Sequence, residues 1–129
     1  MFKRITFLTL LTLVAQDTSA QEPVSWGADL YFSTFSIAGI DPETGESGVA
    51  VTTRVACVGN GVPWVRANVG AVATQASTRV EYGNELLDHI ANGLTADEAL
   101  SRAVAADSLS RRRQVGVISL DGTSAQHTG

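Results

Sequence analysis

The chain has 129 residues, 44% of them hydrophobic, with nine basic against thirteen acidic side chains and a net charge of −4. That suffices for one small domain, and the acidic balance excludes nucleic acid as an expected partner, since its binding rests on Lys and Arg neutralising phosphates. A single cysteine, Cys57, excludes an internal disulfide, and His89 and His127 stand in no metal-ligand spacing, so neither zinc nor another metal or cofactor is expected.

Residues 1–20 read as an export signal. Lys3 and Arg4 precede the largely apolar run "ITFLTLLTLV" (5–14), and "TSA" (18–20) supplies a small-residue cleavage site. Ten residues fall short of the about 20 that a helix needs to cross a bilayer, so membrane contact is expected only through this transient leader. Without Lys3, Arg4 and Asp17 the balance becomes seven basic against twelve acidic groups, −5, and no lysine remains. A Ser–Lys dyad, a Schiff-base lysine and a P-loop lysine are thereby excluded.

"QEPVSWGADLYFS" (21–33) reads as a linker or propeptide. From Thr34 the pattern has period two, with Phe35, Ile37 and Gly39 on one face and Ser36, Ala38 and Ile40 on the other. "DPETGES" (41–47) is a turn, and "GVAVTTR" (48–54) the returning strand of a hairpin. "VACVGNGVPW" (55–64) reads as a glycine-rich loop in which Pro63 stops pairing, with Cys57 expected to be buried and inert. "VGAVATQAS" (69–77) is a strand of small residues, as expected of a central strand closely approached by another layer.

Two helices follow. "YGNELLDHIANG" (82–93) sets Leu86, Leu87 and Ile90 on one stripe and ends at Gly93, with Glu85 and His89 as an exposed pair one turn apart. "TADEALSRAVAAD" (95–107) opens with a Thr95–Glu98 capping box and buries Leu100, Ala103 and Val104. Arg111–Arg113 reads as a solvated turn, "RQVGVISLDG" (113–122) as a strand ending in an Asp-Gly turn, and "TSAQHTG" as the start of another. The order β-β-β-α-α-β predicts an α+β fold with helices on an antiparallel sheet. A strand pattern that stops in mid-course suggests a truncated reading frame or one chain of a cleaved pair.

The pattern contains no nucleophile elbow, Walker loop or dinucleotide fingerprint, and "VGNG" (58–61) lacks the lysine and helix start of a phosphate cradle. Four strings nevertheless stand together in register: "TFSIAGIDPETGESGVAV" (34–51), "VGNGVPWVRANVGAVATQA" (58–76), "YGNELLDHIANGLTADEAL" (82–100) and "RRQVGVISLDGTSAQHTG" (112–129). In these the chain resembles the bacterial family known as domain of unknown function 1028, placed in the N-terminal-nucleophile (Ntn) hydrolase superfamily.

That resemblance implies a four-layer αββα sandwich, of which residues 34–129 would be the N-terminal part. It also implies a hydrolase acting on a C–N amide bond in a small molecule or peptide, exported to the periplasm or medium. Added peptidoglycan-binding-like domains in some members hint at cell-wall fragments. Thr34 matches the position of the nucleophile, whose own freed α-amino group would be the base. Cleavage after Ala20 would leave residues 21–33 attached, so the role requires a further cut at Ser33–Thr34 or a different export cut. Otherwise Thr34 is a β-branched residue starting a strand.

Other candidates are open in the residues themselves. Arg54 either binds a substrate carboxylate or ends a strand in solvent. Thr74 and Gln75 either line the cleft or satisfy neighbouring loops. Asn60 and Trp64 lie in the loop facing that region. Homo-oligomerisation is compatible with all of this, as is a non-catalytic envelope protein using the scaffold for interaction. A third reading makes the chain an α-chain whose cleaved partner carries the nucleophile.

Overall fold

Two antiparallel sheets and two helices make up the regular structure of residues 33–129, the part described by a computed structural model. Residues 1–20, read as an export signal, and all of segment 21–33 except Ser33 lie outside the described residues. Strands β1 (Phe35–Ile40) and β2 (Ser47–Thr52) form a hairpin that is a sheet of its own. Strands β3 (Pro63–Arg66), β4 (Gly70–Ala76), β5 (Arg113–Ser119) and β6 (Ser124–Thr128) form the second sheet, in that order. Helices α1 (Glu81–Ala91) and α2 (Ala96–Ala106) connect β4 to β5. The α+β reading holds, and the order gains a strand, since residues 63–66 pair although Pro63 reads as a stop. Pro63 is the first residue of an edge strand, where its missing N–H breaks no ladder, and Thr74 N donates to Val62 O beside it (3.1 Å).

The hairpin turn forms as its residues dictate. The Asp41 carboxylate accepts from the N–H groups of Glu43 (2.9 Å) and Thr44 (3.3 Å), and Gly45 takes a φ of 74° that a side chain would resist. The register then sorts side chains to the two faces of the larger sheet. Val72 stands opposite Val117 and Thr74 opposite Val115, all towards the helices. Ala71, Ala73 and Gln75 look the other way, onto the hairpin. β1 lies over β4 and β5, and β2 over β3 and β4, with Cα pairs within 8 Å. Packed sheets usually sit about 10 Å apart, and the alanines and glycines on these faces permit the closer approach.

The main core lies on the helix side. Tyr82, Leu86 and Leu87 of α1 and Ala96, Ala99, Leu100 and Ala103 of α2 pack on Val72, Val115 and Val117. Ile90 and Val104, both expected in it, border it half-buried. Gly83 brings α1 against the ring of Trp64, which is therefore a core-side residue of β3 and not a cleft residue. The capping box forms: Thr95 Oγ1 accepts from Glu98 N (3.2 Å), and the Glu98 carboxylate accepts from Thr95 N (2.9 Å), an arrangement worth about 1 kcal/mol.

Three local expectations are corrected. Cys57 is exposed, not buried, because it takes a left-handed φ of 58° at the start of the Val58–Asn60 3₁₀ turn and looks out of the loop. Glu85 pairs with Arg79 (2.9 Å) rather than with His89, since the guanidinium folds back over α1 and lies 4.7 Å from the Tyr82 ring. Of the arginine run, Arg111 and Arg112 are solvated, but Arg113 enters β5 and meets Asp107.

That last pair has a pH signature. Asp107 accepts from Arg113 Nε (2.8 Å), Leu109 N (2.9 Å) and the Tyr82 hydroxyl (3.0 Å). The Arg113 hydrogen bond, then that of Leu109, hold its pKa at about 2, below the ordinary 3.8. A depressed carboxylate pKa stabilises the fold above the ordinary value, and the benefit is lost as pH falls from about 4 towards 2. Asp107→Asn is expected to lower stability at neutral pH and to flatten this acid limb. Denaturant melts at pH 6, 4 and 2.5 check it, and a limb of unchanged slope would remove Asp107 from the account.

Candidate functional site

Thr34 sits one residue ahead of β1, at the end of the hairpin that overhangs the last residues of β4 and the first of β5. Its Oγ1 is 2.9 Å from Thr53 Oγ1, and Thr53 Oγ1 in turn accepts from Val55 N (3.1 Å). The Thr53 hydroxyl, one residue past the end of β2, thus holds the Thr34 hydroxyl. Beneath them the register aligns Gln75 with Gln114 and Gln114 with Thr128, a row of three neutral polar side chains across β4, β5 and β6. The Gln75 carboxamide nitrogen donates to Ser36 Oγ, tying β1 to the larger sheet two residues from Thr34.

Two hollows open on either side of Thr34, and both are lined by Thr34, Gln75 and Gln114. One, of about 290 Å³, lies between β1 and the β5–β6 side, with Ser36, Gln126 and Thr128 on its walls. The other, of about 380 Å³, is bounded by Val55, Val58, Val62 and Ala76. Ala76 has a left-handed φ of 63°, a conformation that costs a non-glycine residue on the order of 1 kcal/mol or more and that tends to mark functional backbone. Thr74 N donates to Val62 O on one side of β4, and Ser77 N donates to Arg112 O on the other (both 3.1 Å). By that alternation the Ala76 N–H is directed to the Val62 side, towards the second hollow.

Of the sequence candidates, Thr34 and Gln75 come together here. Thr74 does not join them: it is fully buried on the helix side, and its Oγ1 has no hydrogen-bond partner among the described residues. Arg54 and Asn60 are exposed, and neither lines the two hollows beside Thr34. Sequence reasoning missed Thr53, Gln114 and Thr128. Register was the only signal that could have found the last two: once β4 and β5 are paired, Gln114 falls opposite Gln75 and Thr128 beside it. His127 opposes Val115 on the helix face, and its Nε2 is 2.9 Å from Ser110 O, so its ring turns away from Thr34.

Residues 34–129 match the model of a family described as "Family of unknown function (DUF1028)". The fold is similar to the crystal structure of protein SPO2555 from Silicibacter pomeroyi, assigned to the DUF1028 family model, with 35% sequence identity and a TM-score of 0.71. The alignment covers 77% of this chain and 44% of that one, so this chain spans less than half the length of the solved protein. No curated protein matches.

Proposed function

The chain belongs to the DUF1028 family, and on that premise we propose that it is an exported hydrolase of the N-terminal-nucleophile type, cutting a C–N amide bond with Thr34. The observation that carries this reading is the placing of the Thr34 hydroxyl between two hollows, held by Thr53. The leader-like residues 1–20 support export to a bacterial periplasm or medium, and the absence of lysine in residues 21–129 leaves a chain terminus as the natural amine base. The substrate is a small-molecule or peptide amide, with no cofactor required.

The chemistry needs Thr34 to be the first residue. Its α-amine, with an ordinary pKa of about 8, then takes the hydroxyl proton as Oγ1 forms a bond to the amide carbonyl carbon. The oxyanion is met by donors on the rim, the Ala76 N–H and the carboxamides of Gln75 and Gln114. Collapse breaks the C–N bond, and the amine leaves with the proton the α-ammonium returns. Water, deprotonated by the same amine, hydrolyses the threonine ester to a carboxylic acid and restores the hydroxyl.

Intact-mass and N-terminal determination on protein recovered from its host checks the requirement. A mature chain beginning at Thr34 is expected, and one beginning uniformly at Gln21 would remove the amine and with it the mechanism. A second reading, a non-catalytic interaction scaffold, is favoured by one observation. Phe35 and Ile37 point away from the larger sheet and are 59% and 58% exposed, an apolar face on the outer side of the hairpin.

A further inference from the structure

The two hollows beside Thr34 are unlike in chemistry, and among the described residues neither is lined by a charged side chain. On the β5–β6 side the walls carry Ser36, Gln75, Gln114, Gln126 and Thr128, all neutral groups that both donate and accept. His127 contributes to that wall from the strand opposite Val115, but its ring is engaged with the Ser110 carbonyl. On the other side Val55, Val58, Val62 and Ala76 make most of the wall, with threonine side chains and the shared Gln75 and Gln114 completing it. Among the described residues no acidic group lines either hollow, and Arg54 is turned to solvent.

In the chain uncut before Thr34, a ligand charge brought into such a place loses water and meets no charged side chain among the described residues, which is unfavourable even in partly open sites. A neutral carboxamide or a sugar hydroxyl, by contrast, can exchange its water hydrogen bonds for those of the glutamines. An apolar group gains by leaving water on the valine side, in proportion to the area removed from contact with it.

We propose that the Thr34 cleft takes an uncharged amide with two unlike halves: a neutral hydrogen-bonding group beside Gln75, Gln114 and Thr128, and a short apolar group beside Val55 and Val58. This rests on the hydrolase reading only for the position of the scissile bond between the halves. The polarity of the walls stands independently of any reaction.

Binding to the full chain carrying Thr34→Ala, followed by NMR titration, tests it without turnover. The probes are N-hexanoyl-glutamine amide, N-acetyl-glutamine hexylamide as the reverse orientation, and N-hexanoyl-glucosamine. N-hexanoyl-glutamate amide, N-hexanoyl-lysine amide and N-acetyl-glutamine amide serve as the charged and shortened counterparts. At least one neutral six-carbon probe is expected to bind about tenfold more tightly than each of these counterparts. The glutamine and glucosamine arms decide whether the polar group is a carboxamide or a sugar.

Gln114 is exposed on the rim, so Gln114→Glu is expected to keep the melting temperature while weakening the neutral probe and favouring the lysine one. Charged probes binding as tightly as neutral ones, indifference to the six-carbon chain, or no binding at millimolar concentration would each overturn the proposal. If the binding preference holds but a chain freed at Thr34 hydrolyses none of these amides, the hydrolase reading falls and this one stands. Hydrolysis of charged amides by that chain would have the opposite result.

Discussion

In a chain that begins at Thr34, Thr34→Ala is expected to abolish amide hydrolysis, a loss on the order of 10⁴- to 10⁶-fold in kcat, as for removal of a covalent nucleophile elsewhere. Thr34→Ser keeps both the hydroxyl and the α-amine and is expected to retain activity. Two further readouts separate nucleophile from strand residue. A strained cyclic ester should acylate the processed chain once, at Thr34, and leave Thr34→Ala unmodified by intact mass. The same reagent should leave the Ser33–Thr34 uncut chain unmodified, because its nitrogen is an amide and cannot accept the hydroxyl proton. Labelling should rise with pH through about 8, where an ordinary α-amine loses its proton. Thr34 is exposed and makes one side-chain hydrogen bond, to Thr53, so Thr34→Ala should cost little stability. Equal labelling of Thr34→Ala and the parent would end the Thr34 mechanism.

Gly83→Ala is expected to be the most damaging single-methyl change in the helices. A Cβ at Gly83 would stand 2.1 Å from the Trp64 ring, whose Nε1 donates to Gly61 O (3.1 Å) and fixes the indole in place. Alanine favours a helix interior over glycine by up to about 1 kcal/mol, but the ring or α1 must move, and forcing extra volume into a packed site costs about 1–3 kcal/mol. The overlap is with the body of the indole, not a flexible tip, so steric cost dominates. A net loss of about 2 kcal/mol would lower Tm by roughly 10 °C in a domain of this size. Thermal unfolding checks it, and Trp64→Leu in the same chain should recover part of the loss through direct coupling. An unchanged or raised Tm would mean that Trp64 is not held against α1 as described.

The sequence made the hairpin, the two helices and the small-residue strand legible because each is written in local rules. Period two from Phe35, the Asp41–Gly45 turn chemistry and the Thr95–Glu98 box need no knowledge of distant residues. Residues 63–66 were illegible for a physical reason: a strand beginning with proline exists only because β4 offers it an edge. Cys57 and Glu85 were misplaced because their surroundings come from other segments, a left-handed turn in one case and Arg79 in the other. The site was half legible. Thr34 and Gln75 stood out in their own strings, whereas Gln114 joined them through pairing with Gln75 across some forty residues of chain, and Thr128 through pairing with Gln114. Thr74 and Gln75 are adjacent in sequence, yet alternation in a strand sends one hydroxyl into the helix core and one carboxamide to the cleft.

The hairpin and the larger sheet share no backbone ladder. What joins them is side-chain packing of small residues, the tie from Gln75 to Ser36 and a long hydrogen bond from Asn68 N to Gly45 O (3.5 Å). Cooperative units in proteins tend to follow such seams, and their opening free energies fall with the contacts that cross them. The hairpin is therefore expected to open as one piece while β3 to β6 and the helices stay folded. Amide protection of Ser36–Ile40 would then report the strength of the seam, separately from the global stability reported by Val72 or Val115. A substrate that bridges both walls of the cleft would slow exchange in the hairpin more than its own contacts with it require.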